Sequence, residues 1–313
     1  MRKIFKILIF YFFFFNISIN TISAEIKILY KINNDVITSY DVKNESNYLK
    51  TLNKNLDSLP PKELIETATQ SLIREKIKKE EIDRVFEIDY ENAINSNGIK
   101  NIIKNLYSTL NFETEEEFLD YLKKNNVNEK NLKRKFVIEQ MWNQLIVNKY
   151  NNVIQINKAE INQKVDEIIK NNGEITNFNL SEIVFLEKNK QDSEKKYLEI
   201  QKSIKENGFE ETAILYSISE SAKLGGKIGW INGNQLSKKI MNEINKISVG
   251  EYSNIISTAG GNIILKLNDK RKKSVEIDKE KEAKKLIRFK KNQLSTEYSI
   301  VFYKKFENNA YIE

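Results

Sequence analysis

The chain has 313 residues, 40% hydrophobic and 30% charged, a balance that supports one large or two ordinary packed domains and excludes a wholly disordered chain. It contains neither cysteine nor histidine. Disulfides, thiolate metal sites and Ser-His-Asp or Cys-His catalysis are therefore excluded, and the commonest general base at neutral pH is missing. The formal net charge of +7 would suit an anionic partner, but the lysines alternate with Glu and Asp along the chain. The sharpest cluster is Lys270-Arg271-Lys272-Lys273, no nucleic-acid motif accompanies it, and no nucleic-acid partner is expected.

In chain order, residues 1–24 read as a secretory signal. Arg2, Lys3 and Lys6 form a basic start, Ile7 to Phe15 is an unbroken apolar run, and Thr21-Ile22-Ser23-Ala24 ends in small residues. The run is too short to span a bilayer, for which about 20 apolar residues are needed. Cleavage near Ala24 would remove three cations and no acid, taking the charge from +7 to +4. Retention as a membrane anchor is the alternative, and it is the only route to membrane contact.

Glu25 to Ile32 alternates as a strand, Asn33-Asn34-Asp35 is a turn, and Thr38 with Asp41 reads as the cap of a helix. Pro60-Pro61 opens a second helix, with Leu64, Ile65, Ala68, Leu72, Ile73 and Ile77 on one face. Helices follow from Gly98 to Leu110, after the Thr114 cap, from Asn128 to Tyr150, and after Asn157 with Glu160. At Asn172-Gly173 the pattern changes. Asn179 to Phe185 reads as a strand, Ser193 to Asn207 and Glu210 to Tyr216 as helices, and a loop with Gly225, Gly226 and Gly229 precedes Trp230. Lys238 to Ile244 is helical, and Ile255-Ile256 and Asn262 to Leu267 are strands. This mixture without long crossovers is an α+β module of about a hundred residues. From Ser274 the chain is helical again, with Ala283, Leu286, Ile287, Leu294, Ile300, Val301 and Phe306 as an apolar face, before Ala310-Tyr311-Ile312. That face has no domain of its own to cover it, so the helix is expected to fold back on the N-terminal helices and make the α+β module an insertion.

The segment Asn179 to Lys270 resembles the parvulin (PpiC-like) peptidyl-prolyl isomerases. The resemblance rests on Asn179-Leu180-Ser181-Glu182-Ile183-Val184, Tyr216-Ser217-Ile218-Ser219, Leu224-Gly225-Gly226-Lys227-Ile228-Gly229-Trp230, Val249-Gly250-Glu251-Tyr252-Ser253 and Gly260-Gly261-Asn262-Ile263-Ile264-Leu265-Lys266-Leu267. The stretch Lys31 to Asp41, with the signal before it and the returning helix after it, resembles SurA-type periplasmic chaperones. The fold implied is α+β, a mainly helical discontinuous chaperone domain with one inserted parvulin-type domain. The division expected is 1–24 signal, 25–171 helical domain, 172–270 parvulin-like domain and 271–313 returning helix and strand.

The resemblance also implies the site. Parvulins carry histidine where this chain has Glu182, Cys or Asp at Ser219, and the histidine of a Gly-x-His piece at Asn262, while Ile228, Leu236 and Ile240 would line the proline pocket with Ser257 and Ala259 at its rim. Isomerisation breaks no bond and needs only tighter binding of the twisted amide than of the planar one. Replacing two imidazoles by a carboxylate and an amide changes local charge and donor pattern, so a large loss of turnover is expected. No cofactor, metal or small-molecule substrate is expected. The implied partners are unfolded outer-membrane or secreted polypeptides. The two functions left open are a chaperone with a weak or inactive isomerase domain and a working isomerase, membrane-anchored if the signal is kept.

Overall fold

The computed structural model describes residues 26–170, 174–187, 189–274 and 278–313. The expected signal, residues 1–24, lies outside them. Strands β1 (Ile28–Ile32) and β2 (Asp35–Thr38) form an antiparallel hairpin whose turn places Asn33 at φ 51°. Thr38 then caps α1 (Ser39–Leu52): its hydroxyl accepts from the Asp41 N–H, and the Asp41 carboxylate accepts from the Thr38 N–H. This reciprocal box satisfies two helix-end donors at once. Helix α2 (Pro61–Val85) begins with Pro61 at its first position, where no N–H is needed. A short α3 (Tyr90–Ala93) leads to α4 (Asn97–Thr109), α5 (Glu115–Lys124), α6 (Glu129–Tyr150) and α7 (Lys158–Lys170).

Ala68, Leu72, Ile73 and Ile77 of α2 join Trp142 of α6, Phe118 of α5 and Ile99 of α4 in one apolar core. Ile65, expected on that face, is 50% exposed, while its neighbours Leu64 and Ala68 are the residues of this stretch that pack on the core.

The chain then enters a four-stranded antiparallel sheet of order β4-β3-β6-β5. Its members are β3 (Glu174–Phe185), β4 (Lys227–Asn232), β5 (Ile256–Thr258) and β6 (Gly261–Ser274). Helices α8 (Lys190–Asn207) and α9 (Phe209–Tyr216) cover one face through Ile183, Phe185, Ile200, Phe209 and Ile264. Helix α10 (Lys238–Ile244) covers the other with Phe178, Leu180, Leu236, Ile256, Leu265 and Leu267. Both central strands run further than their apolar residues indicate. Thr176 pairs with Lys272 and Phe178 with Lys270, so the basic run is the far half of a strand.

Helix α11 (Lys279–Asn309) returns across the helical body. Leu286 packs with Ile161, Val165 and Ile168 of α7. Phe302 lies 5.5 Å from the Trp142 ring, Tyr298 stacks on Tyr150 at 4.5 Å, and the Trp142 indole N–H donates to Ser299 at 2.8 Å. The last residues complete the circuit: Lys31 and Glu313 exchange two backbone hydrogen bonds of 3.0 and 3.1 Å. The fold is α+β, a mainly helical body built from both ends of the chain with the sheet domain inserted. Among the described residues no helix is long and apolar enough to cross a membrane.

Candidate functional site

Glu182 sits near the end of β3, and the loop after α9 crosses beside it. The Ile218 N–H donates to the Val184 carbonyl at 2.8 Å, and the Glu182 N–H donates to the Gly226 carbonyl at 2.8 Å. Gly226, at φ 76°, is obligatory here. A Cβ at this position would lie 2.2 Å from the Glu182 carbonyl oxygen, a distance no side chain tolerates.

Ser217 and Ser219, on the extended loop after α9, and Ser221, in the 3-10 turn Glu220–Leu224 that follows, form a continuous chain. Ser217 Oγ and Ser219 Oγ are 2.9 Å apart, Ser219 Oγ and Ser221 Oγ 2.7 Å, and Ser221 Oγ donates to Glu182 Oε1 at 2.9 Å. At the far end Ser217 Oγ accepts from the Val184 N–H at 2.9 Å. With Glu182 ionised, one orientation satisfies the chain: each hydroxyl donates toward the carboxylate, and Ser217 receives backbone N–H groups behind it. Burial pushes the Glu182 carboxyl above its ordinary range, against the hydrogen bonds from Ser221 and Ser219 that favour the charged form.

Glu182 and Ser219 thus belong to one site. Asn262 does not join them. It pairs in register with Phe185, three positions from Glu182, about 10 Å along the strand. Strand alternation also turns it to the α8 side, where its amide donates to Ser193 at 3.0 Å and its carbonyl accepts from Ser257 at 2.9 Å. On β6 the Glu182 face is carried by Leu265, its direct partner, and by Ile263, which packs with Leu236 and Ile240. Counted from Gly261 rather than Gly260, the Gly-x-His pattern falls on Ile263. The doubled glycine leaves both registers open in sequence, and the pleat separates them.

Of the expected apolar residues, Leu236 and Ile240 come together in the cluster under α10, while Ile228 lies on β4 and is 38% exposed. Ser257 and Ala259 are exposed on β5 and the turn after it, and the Ser257 carbonyl accepts from Lys239 at 2.6 Å. Ser217 and Ser221 are the residues that sequence reasoning missed. Their period-two spacing around Ser219 was the available sign.

The loop is held from the helical side. Lys223, in the turn Glu220–Leu224, reaches Glu139 of α6 at 3.2 Å. Glu139 also takes Lys78 of α2, and Lys78 stands 3.4 Å from Glu220. Burial alone would raise Glu139, but the Lys78 and Lys223 ammonium groups outweigh it and hold the carboxyl well below the ordinary range. Arg74 donates to the Ser217 carbonyl at 3.4 Å. Between this loop and helices α2, α6 and α11 lies a cavity of about 420 Å³, with Glu182, Ser219 and Ser221 in its wall. Among the described residues no cluster of acidic side chains is arranged to hold a metal.

Residues 178–269 match the family described as Rotamase: PPIC-type PPIASE domain. Two curated proteins match the chain, both Chaperone SurA. The one from Hydrogenovibrio crunogenus is 33% identical over 89 residues, 28% of this chain and 20% of the relative. The one from Pseudomonas aeruginosa is 40% identical over 63 residues, 20% of this chain and 15% of the relative. These matches span a fifth or less of the relatives' length. Among solved structures, a PpiC-type isomerase domain is 27% identical, covering 32% of this chain and 96% of that one, with a TM-score of 0.30. A SurA-like chaperone of Campylobacter jejuni is 14% identical, covering 92% and 98%, with a TM-score of 0.34. PrsA of Bacillus subtilis is 16% identical, covering 89% and 91%, with a TM-score of 0.29. The chain is similar to SurA chaperones and carries a parvulin-type, PpiC-like rotamase domain.

Proposed function

We propose that this chain, with a PpiC-like rotamase domain set into a helical body, is an exported chaperone that binds unfolded outer-membrane or secreted polypeptides and whose rotamase domain turns over slowly or not at all. Residues 1–24 serve as the export signal and bring it to the periplasm. Residues 25–171 and 271–313 form the binding body, and residues 172–270 the rotamase domain. One observation carries the weak-turnover reading. The site face offers Glu182 and Ser219 but places Ile263 where a second polar group would meet them. The Glu182 carboxylate is committed to the serine chain, and the amide of Asn262 is spent on Ser193 and Ser257. Few polar groups are left to order a twisted amide, so differential binding of the transition state is small.

The alternative, a working isomerase, is favoured by the apolar floor that survives in Leu236, Ile240 and Ile256. The two readings separate when the mature chain is assayed side by side for isomerisation of short X-Pro peptides and for suppression of client aggregation. Suppression with isomerisation close to the uncatalysed rate is expected. Fast isomerisation abolished by Glu182→Ala would overturn the reading and make Glu182 catalytic.

A further inference from the structure

Residues 270–291 hold eleven Lys and Arg against four Asp and Glu, a net charge of +7. The mature chain from Glu25 carries +4, so everything outside this segment sums to −3. A lysine-rich composition would spread its charge along the whole chain, whereas here one segment is basic and the remainder acidic. The fold holds that segment on rigid elements. Lys270 to Lys273 lie near the end of β6, and α11 begins at Lys279. Ile175, the register partner of Lys273, packs with Leu286 of α11, so strand and helix converge on one small core.

Several of these cations are neutralised: Lys279 pairs with Asp166, and Lys284 with Glu280. Lys270, Arg271, Lys272, Lys273, Arg288 and Lys291 are all exposed, and among the described residues none has an acid within ion-pair reach. Arg271 lies instead over the ring of Trp230, 4.0 Å from its centroid, and Trp230 is 38% exposed. Trp230 pairs with Asn179 and Arg271 with Asn177, which sets both on one face of the sheet. Unpaired cations held this close repel one another, and an anionic partner relieves the repulsion. They are spread over both faces of a strand and the exposed side of a helix, a layout that meets a layer of anionic groups better than one small anion. An exposed Trp at the centre of such a surface suits the headgroup level of a bilayer, where amphipathic rings settle.

We propose that Lys270 to Lys273, with Arg288, Lys291 and Trp230, form a docking face for an anionic phospholipid surface. Basic clusters are drawn to such a surface within a Debye length. The acidic remainder is repelled by it, so the basic end is the end that faces the lipid. This contact needs neither residues 1–24 nor a polypeptide client.

The test is flotation of the mature chain with vesicles of phosphatidylcholine alone or of equal parts phosphatidylcholine and phosphatidylglycerol. Binding to the mixed vesicles only, lost as salt is raised, is expected. Lys270→Gln, Arg271→Gln, Lys272→Gln and Lys273→Gln together should weaken it at least tenfold. Lys100→Gln, Lys104→Gln, Lys123→Gln and Lys124→Gln together remove the same charge from exposed sites on α4 and α5 and should leave it within twofold. Arg288→Gln with Lys291→Gln, on the helix surface, should weaken it at least threefold and serves should the strand variant disturb folding. Bromine-labelled lipid in the mixed vesicles should quench the emission of the wild type but not of Trp230→Phe, whose remaining Trp142 is buried. A chain that ignores the mixed vesicles, patch variants that bind as the wild type does, or a control variant that loses as much as the strand variant would each overturn the docking face. So would quenching that survives in Trp230→Phe. Tighter binding to a single-stranded oligonucleotide than to the mixed vesicles would assign the surface to nucleic acid and overturn the lipid partner.

Discussion

Glu139→Gln probes the ionic clamp between the two parts of the molecule. Glu139 lies between Lys78, whose side chain is 5% exposed, and Lys223, 23% exposed. Removing one member of a buried ion pair costs about 3–5 kcal/mol, because the partner charge is left stranded. Two features reduce that here. Glu139 itself keeps 18% of its side chain accessible, and Glu220 at 3.4 Å takes up part of the Lys78 charge. We therefore expect a loss nearer about 2 kcal/mol. Urea unfolding at pH 7.5 measures it, followed by fluorescence in a Trp230→Phe background, which leaves Trp142 as the one tryptophan of two. Lys223→Met alone and the double variant close a mutant cycle, in which contacting partners should couple by about 0.5–3 kcal/mol. Acid checks the sign. Glu139 is held below its ordinary value of 4.5, so its contribution is complete above that pH and fades as pH falls through the lower folded value. The gap between wild type and Glu139→Gln should narrow below about pH 4. A loss under about 0.5 kcal/mol with no coupling to Lys223 would place the cluster among surface pairs and refute the reasoning.

Three further outcomes follow from the site. Glu182 is raised by burial, so the folded chain prefers the neutral acid above the ordinary value of 4.5. Glu182→Gln should therefore raise Tm at pH 8, with a gain that vanishes toward pH 4, and a lower Tm at pH 8 would show that the serine chain outweighs desolvation. Gly226→Ala places a Cβ 2.2 Å from the Glu182 carbonyl oxygen in a left-handed residue, which should destabilise the rotamase domain by about 3 kcal/mol or more in chemical denaturation. Glu182→His combined with Ile263→His should raise isomerisation of X-Pro peptides more than Glu182→His combined with Asn262→His, because only residue 263 shares the Glu182 face. The opposite ranking would restore Asn262 to the site.

Much of the helical body was legible because caps and helical periodicity are local. Thr38 with Asp41 and the Asn128 start each need only a few neighbouring residues, and each occurs where the pattern puts it. The far halves of β3 and β6 were less legible. Lys270 to Lys273 has no apolar alternation, and its extended state comes from pairing with residues 175–178. Single-strand pattern carries no information about such a partner.

By itself the sequence determined the absence of histidine and cysteine chemistry, the glycines at 225 and 226, and the ordered series of residues that marks a rotamase domain. These depend on residue identity and short spacing alone. The tertiary structure decided which of the polar positions meet. Gly260-Gly261 permits two registers for the last strand, and a shift of one residue moves every side chain to the other face of the sheet. Pairing with β3 turned Asn262 to Ser193 and Ile263 toward Glu182's face. The tertiary structure also brought Lys223 to Glu139 across 84 positions of chain and set α11 opposite the serine loop. No local preference specifies such contacts, because they exist only once the two ends of the chain have packed into one body around the inserted domain.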